Sequence, residues 1–336
     1  MLSPADVAAH LDALAKPPGS MGQLEAIAVR LAVASGCLRP ATRPRTLLLF
    51  AADHGVVADG VSAWPQSVTA AMIRLIADGR AVSSALARAH GCHLRLVDVG
   101  TTGAAEGPWP DHVRIARVGQ GTASLAHGPA MTVAAFDAAL AIGMAEAEAA
   151  ISAGARLILT GEMGIGNTTA AAALISLLTG VSAAEATGRG AGADDAMLER
   201  KTGIVAGAVA RAAAILPSDP RAAMAAVAGF EIVAMAGATL AATRHGTPVL
   251  LDGLVSTAGA VIADSLDPGV RQRLIAGHRS AEPGHGAALT TLGLEPILEW
   301  DMRLGEGSGA LAALPLLDSA VALLGDVALL TDVTSP

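Results

Sequence analysis

Five short apolar runs punctuate the chain: Thr46 to Ala52, Leu94 to Val99, Leu157 to Thr160, Pro248 to Leu251 and Leu274 to Ala276. They do not alternate polar with apolar, so each reads as a strand buried on both faces. Each ends in glycine or polar residues. Alanine-rich segments such as Met131 to Ala153 and Leu198 to Leu216 lie between them, with the length and propensity of helices. This rhythm predicts an α/β fold, a parallel Rossmann-like sheet with helices on both faces. Pro4 to Cys37 reads as helices broken by Lys16-Pro17-Pro18-Gly19-Ser20, and Ala310 to Leu330 is helical again, with a kink at Pro315. Packed together, the two terminal segments predict a small helical domain (1–39 with 306–336) beside a large α/β domain (40–305).

Ligands in such sheets bind beyond the carboxyl ends of the strands. Asp53-His54-Gly55, Asp98, Glu162 and Asp252-Gly253 all stand at or just past their strand ends, so these loops are expected to converge on one cleft. Gly161-Glu162-Met163-Gly164-Ile165-Gly166-Asn167-Thr168-Thr169 joins a strand to a helix predicted over Ala170 to Leu178. Strand, glycine turn and helix start present free N–H groups and a positive dipole end to an anion. No Lys follows the glycines, so it is not a Walker A loop. Met302-Arg303-Leu304-Gly305-Glu306-Gly307-Ser308-Gly309 sets a second carboxylate among three glycines before a helix. Glycine at that density lets backbone approach a ligand closely. The alternative is a flexible turn with a solvated Glu.

Composition narrows the chemistry. The 336 residues are 52% hydrophobic, 15% charged and 2% aromatic, with a net charge of −8 and no basic run. Nucleic acid and anionic membranes are therefore poor partners. The longest uncharged stretch, Met163 to Ala184, has an apolar part too short to span a bilayer, and the residues from Met1 to Asp6 suggest no signal peptide. Two cysteines, Cys37 and Cys92, make neither a disulfide framework nor a zinc spacing. A soluble protein of a reduced, cytoplasmic setting is expected, without metal or cofactor.

Other polar residues leave alternatives open. Asp252, in Val249-Leu250-Leu251-Asp252-Gly253, resembles the acidic signature of phosphoribosyl-diphosphate transferases, with Gly253 in place of the second acid. It either holds ribose hydroxyls or is a solvated strand-end acid. His54 reads as an acid/base or metal group, or as a structural hydrogen-bonder. Lys201, after Asp194, Asp195 and Glu199, reads as an anion ligand or as part of an exposed charged helix face. His278 and His285 flank another strand-end loop without a convincing ligand set. A phosphate-binding cleft with two candidate carboxylates, Glu162 and Glu306, is compatible with group transfer on a phosphorylated sugar.

Taken in order, Lys16 to Glu25, Ala52 to Val56 with Gly60-Val61-Ser62, Gly161 to Thr169, Pro248 to Gly253, Ser280-Ala281-Glu282 and Met302 to Ala310 resemble the nicotinate-nucleotide–dimethylbenzimidazole phosphoribosyltransferase family of cobalamin biosynthesis. The resemblance spans nearly the whole chain. It implies a homodimeric enzyme that moves phosphoribose from nicotinate mononucleotide to 5,6-dimethylbenzimidazole, with inversion at the anomeric carbon. Glu306 would be the general base and Glu162 a second active-site carboxylate. Gly164, Gly166, Asn167 and Thr168 would line the phosphate site, with Lys201 and Ser280 as further donors and Asp252 at the ribose. Trp64, Met72 and Leu304 would surround the aromatic base. The chain departs from the family at Trp64, where Tyr, Phe or Ser is common, and at Ala71, near an expected Gln. Trp64 is either an aromatic wall for the acceptor or a core residue.

Three rivals stand beside this reading. A related transferase would use adenine or a phenol as acceptor. A non-catalytic nucleotide binder would leave both carboxylates without a role. A nicotinamide-dependent oxidoreductase would need a glycine fingerprint where Ala52-Asp53-His54-Gly55 stands.

Overall fold

The computed structural model describes residues 2–103 and 108–334. Its seven strands are β1 (Arg45–Ala52), β2 (His93–Gly100), β3 (Val113–Ile115), β4 (Leu157–Met163), β5 (Val249–Leu251), β6 (Leu274–His278) and β7 (Pro296–Leu298). They form one sheet in the order β3-β2-β1-β4-β5-β6-β7, every neighbouring pair parallel. The parallel sheet read from the apolar runs is therefore present. The chain winds outward from β1 to β3, then crosses back to lay β4 on the other side of β1. The winding reverses between β1 and β4, and a cleft lies beside that point, beyond the carboxyl ends of β4, β5 and β6.

The core explains why the central strands read as continuous apolar runs. Along β1, Leu47, Leu49 and Ala51 face one side while Leu48, Phe50 and Ala52 face the other, and all eight residues of the strand are buried. The Leu48 side packs under helices Val133–Ser152, Phe230–Arg244 and Leu254–Leu266. The Leu49 side carries helices Pro4–Asp12, Gln23–Ser35, Ser67–Ala77 and Ser308–Asp326. The terminal segments meet through a backbone bridge between Leu14 and Leu329. Leu11, Leu31, Leu311 and Leu314 share one apolar layer with Leu47, Leu159 and Ile275 of the sheet.

Two edge strands lie outside the apolar runs of the sequence. β3 has three residues and an exposed face, and β7 begins with Pro296, which only a first or edge position tolerates. Helix Phe230–Arg244 also leaves no signature, because it is apolar on nearly every side; such a helix is buried all round and shows no stripe. Two chain limits move as well. β4 continues through Glu162, and the following helix begins at Asn167 rather than Ala170. Among the described residues, Ser308–Asp326 is the one helix long and apolar enough to cross a membrane; Leu311, Leu314 and Leu317 of it lie buried in the layer on the Leu49 face.

Candidate active site

The cleft encloses about 870 Å³ of empty space, its solvent-filled mouth included. Its floor comes from the ends of β4, β5 and β6, and its walls from the glycine loop after β4, residues 189–191, the 61–63 segment and residues 303–305. Glu162, Gly164, Gly166, Asn167, Thr168, Lys201, Asp252, Ser280 and Leu304 line it, as the sequence suggests.

One end gathers hydrogen-bond donors. The helix Asn167–Thr179 points its first turn at the cleft, after Gly166 at φ 92°. Lys201, on helix Asp195–Ile215, is 1% exposed, which rules out the exposed charged face. Its Nζ donates to Thr168 Oγ1 at 2.8 Å and to the Gly188 carbonyl at 2.9 Å. An ammonium has three N–H groups, so one remains for a ligand. Burial pulls the Lys201 amine down to about 8, opposed by the nearby Glu282 carboxylate. An arriving anion would restore the full charge. Ser280 is fixed by its own backbone, whose N–H donates to His285 Nδ1 at 2.8 Å. His285 in turn meets Thr257 Oγ1 at 2.9 Å, and its burial lowers it to about 3, so it is neutral. Arg189 and Arg303 add positive charge on the rim.

The other end gathers acids. Glu162 accepts a hydrogen bond from Asn167 Nδ2, so that Asn supports the carboxylate as well as lining the cleft. Burial raises the Glu162 carboxyl well above the usual range, helped by repulsion from Glu231, Asp252 and Glu306. Glu306 donates its backbone N–H to the Glu162 carbonyl at 3.2 Å. It sits at φ 60°, between Gly305 at φ 89° and Gly307 at φ 76°; the flanking glycines supply the left-handed backbone that a Glu adopts only at some cost. The Glu306 side chain is 2% exposed, and burial raises its carboxyl too, with hydrogen bonds from Ser83 opposing the rise. The solvated-turn alternative falls with that burial.

Asp252 anchors this loop. Its carboxylate accepts from the N–H groups of Gly307 (3.1 Å), Gly309 (2.7 Å) and Ala310 (3.2 Å), satisfying the free donors at the start of Ser308–Asp326. His278 Nε2 lies 3.5 Å from the same group. A carboxylate has about four acceptor sites, so at most one is left for a ribose hydroxyl. Asp53 and His54 are likewise engaged in holding structure. Asp53 accepts from the Thr102 N–H and hydroxyl, each at 2.8 Å. His54 Nε2 pairs with Glu231 Oε1 at 2.8 Å, its ring backs Gly164 and its Cβ backs Gly166. The structural alternative for His54 is the one realised.

The residues expected around an aromatic base are spread more widely. Leu304 is 55% exposed at the cleft mouth. Trp64 is 52% exposed, so it is no core residue; its Nε1 donates to the Ala191 carbonyl at 3.0 Å and ties two rims together. Met72 is half-buried on the Leu49 face, alongside Met163, which does line the cleft. Trp64 and Met72 are not among the residues lining the cleft, and neither is Glu306, whose carboxylate meets Ser83 instead. Ser83, Glu231 and Thr69, whose Oγ1 accepts from the Ile165 N–H at 3.1 Å, are contributors that sequence reading does not single out. Only their tertiary position distinguishes them.

Comparison with known proteins bears on this arrangement. A family model described as phosphoribosyltransferase matches residues 3–333. The nicotinate-nucleotide–dimethylbenzimidazole phosphoribosyltransferase of Pseudomonas putida KT2440 is 46% identical, over 94% of this chain and 89% of that protein. The enzyme of the same name from Thermus thermophilus is 45% identical, over 94% of this chain and 93% of its own. The crystal structure of CobT from Thermus thermophilus superposes with a TM-score of 0.92 at 44% identity, covering 98% of both chains. Whole-length identity at this level, together with the shared sheet, places the chain in the nicotinate-nucleotide–dimethylbenzimidazole phosphoribosyltransferase family of enzymes.

Proposed function

We propose that this chain transfers phosphoribose from nicotinate mononucleotide to 5,6-dimethylbenzimidazole, giving α-ribazole 5′-phosphate and nicotinate in assembly of the cobalamin nucleotide loop. The observation that carries this reading is the division of the site into a donor-lined anion end and a buried carboxylate end that holds Glu306 in a left-handed conformation. The 5′-phosphate would sit against the start of Asn167–Thr179, Lys201 and Ser280. The ribose would lie over Glu162, within reach of the remaining acceptor site of Asp252. The acceptor would approach from the side where Glu306, Met163 and Met72 lie, with Leu304 at its edge.

Glu306 would take the proton from the benzimidazole N–H as that nitrogen attacks C1′. The C1′–pyridinium nitrogen bond breaks on the opposite face, and its electron pair returns to the pyridine nitrogen. The configuration inverts. The leaving group begins cationic and departs neutral at nitrogen, so the step needs no Lewis acid. The protein supplies anchoring and alignment, which is catalysis by proximity.

Trp64 as a stacking wall, assembly as a homodimer, a cytoplasmic location and the division at residues 39/40 and 305/306 belong to the same proposal. The exposed apolar side chains Trp64, Trp300 and Leu304 support a partner surface, and the free thiols Cys37 and Cys92 suit a reducing compartment.

Nicotinate release from nicotinate mononucleotide tests the reaction, with 5,6-dimethylbenzimidazole, adenine and a phenol supplied separately and in competition. Release that depends on the benzimidazole, with an α-configured product by NMR, is expected. Preference for adenine or the phenol would reassign the acceptor; Ala71, which is exposed, offers no polar side chain to select among them. Tight binding with no release for any acceptor would leave a nucleotide-binding protein.

A further inference from the structure

Glu306 offers two carboxylate oxygens, and the structure treats them differently. Oε2 accepts from the Ser83 hydroxyl at 2.9 Å and more distantly from the Ser83 N–H at 3.4 Å. Ser83 is fully buried in the first turn of helix Val82–Ala89, whose preceding residue, Ala81, brings no capping side chain. The amide and hydroxyl of that turn, with the positive end of the helix, are therefore directed at one oxygen of the base. The neighbouring Ser84 does something else: its Oγ donates to the Ile76 carbonyl at 3.0 Å and pins the helix to the preceding one, Ser67–Ala77. Ser83 meets Glu306 while Ser84 fixes the helix that carries it.

The geometry points to Ser83 as a positioning residue for the general base: it holds Oε2 and leaves Oε1 for the acceptor. This rests on the role assigned to Glu306 above. The groups around that carboxylate are almost all of one sign. Glu162 faces it from β4 and Asp252 from the end of β5, with His278 of β6 beyond Asp252; the first turn of Ser308–Asp326 carries no acid. Burial and the Asp252 charge push the Glu306 carboxyl up, and the Ser83 hydrogen bonds oppose them. A base must be unprotonated to accept a proton, so removing the hydroxyl moves the acid limb of the rate profile to higher pH. The lost charge-assisted hydrogen bond sets a shift of about one pH unit.

The test compares wild type, Ser83→Ala and Ser83→Thr in kcat/KM for the acceptor against pH, with the KM for nicotinate mononucleotide and thermal melting measured alongside. The expected result for Ser83→Ala is an acid limb displaced upward by about one unit, about a tenfold loss below it, recovery at high pH and an unchanged donor KM. Ser83→Thr, which keeps a hydroxyl, returns the limb toward wild type. An unmoved limb, or an equal loss at every pH, would overturn the positioning role. A Glu306→Gln enzyme that keeps full activity is a different failure, which removes the base assignment itself whatever Ser83 does.

Discussion

The two ends of the cleft are made of opposite materials. The anion end is assembled from donors that need no charged partner: a helix start, backbone N–H groups, and a lysine held by a hydroxyl and a carbonyl. The acid end presses Glu162, Glu306, Asp252 and Glu231 together, each in low-polarity surroundings. Burial pulls the Lys201 amine down in the first case and pushes the Glu162 and Glu306 carboxyls up in the second, so a ligand of opposite charge favours the charged form at each end. A substrate with a phosphate at one end and a cationic, proton-releasing reaction at the other supplies the missing counter-charges. The contrast also separates residues that act from residues that hold. Asp252, Asp53 and His54 look like chemistry in the sequence, yet each spends hydrogen bonds on holding loops: Asp252 at the Gly307 to Ala310 turn, Asp53 Oδ2 at Thr102 and His54 Nε2 at Glu231.

The largest way to break the contrast is to release the acid end from its anchor. Asp252→Ala leaves three buried main-chain donors unpaired. It should cost about 3 kcal/mol of stability and about a hundredfold in kcat/KM through misplacement of Glu306. Urea unfolding and steady-state kinetics measure both. A variant with wild-type stability would mean the cap contributes nothing.

At the other end, Lys201→Ala should raise the KM for nicotinate mononucleotide by about thirtyfold, as loss of a charge-assisted phosphate contact does, with acceptor KM little changed. An equal rise for both substrates would place Lys201 outside the anion site.

Glu162→Gln sharpens the comparison, because it should trade activity for stability. The native carboxyl is raised above its unfolded value of 4.5, so between those two values the folded protein holds a proton that the unfolded chain has lost. Stability from this group is present below pH 4.5 and is lost as pH rises through the native value. The Gln variant should therefore match wild type at about pH 4 and gain about 1 kcal/mol near about pH 7.5. A gain that is the same at both pH values would deny that Glu162 is the titrating group.

How much of this is readable in the residues depends on where the information lies. The inner strands are legible because burial on both faces writes an unbroken apolar run, as Leu47 to Ala52 does. Glu162 and Glu306 are legible because glycines surround them and glycine clusters cannot serve a core. The edge strands β3 and β7 are not, since three residues with an exposed side carry no pattern. Glu231 is hidden in a helix apolar on all sides, and Ser83 in a plain Ser-Ser pair; each gains meaning only from the residue it meets across the fold. Lys201 goes the other way. Its charged neighbours Asp194, Asp195 and Glu199 suggest a solvated face, but the helix turns that one side chain inward to Thr168.

The measurement closest to the central claim is kcat for nicotinate release by Glu306→Gln against wild type, at saturating 5,6-dimethylbenzimidazole and nicotinate mononucleotide. Gln keeps the size and an acceptor for Ser83 but cannot take a proton. The account predicts a loss of roughly a hundredfold or more, with both KM values within about threefold of wild type. Undiminished turnover would contradict it and move the search for the base to Glu162.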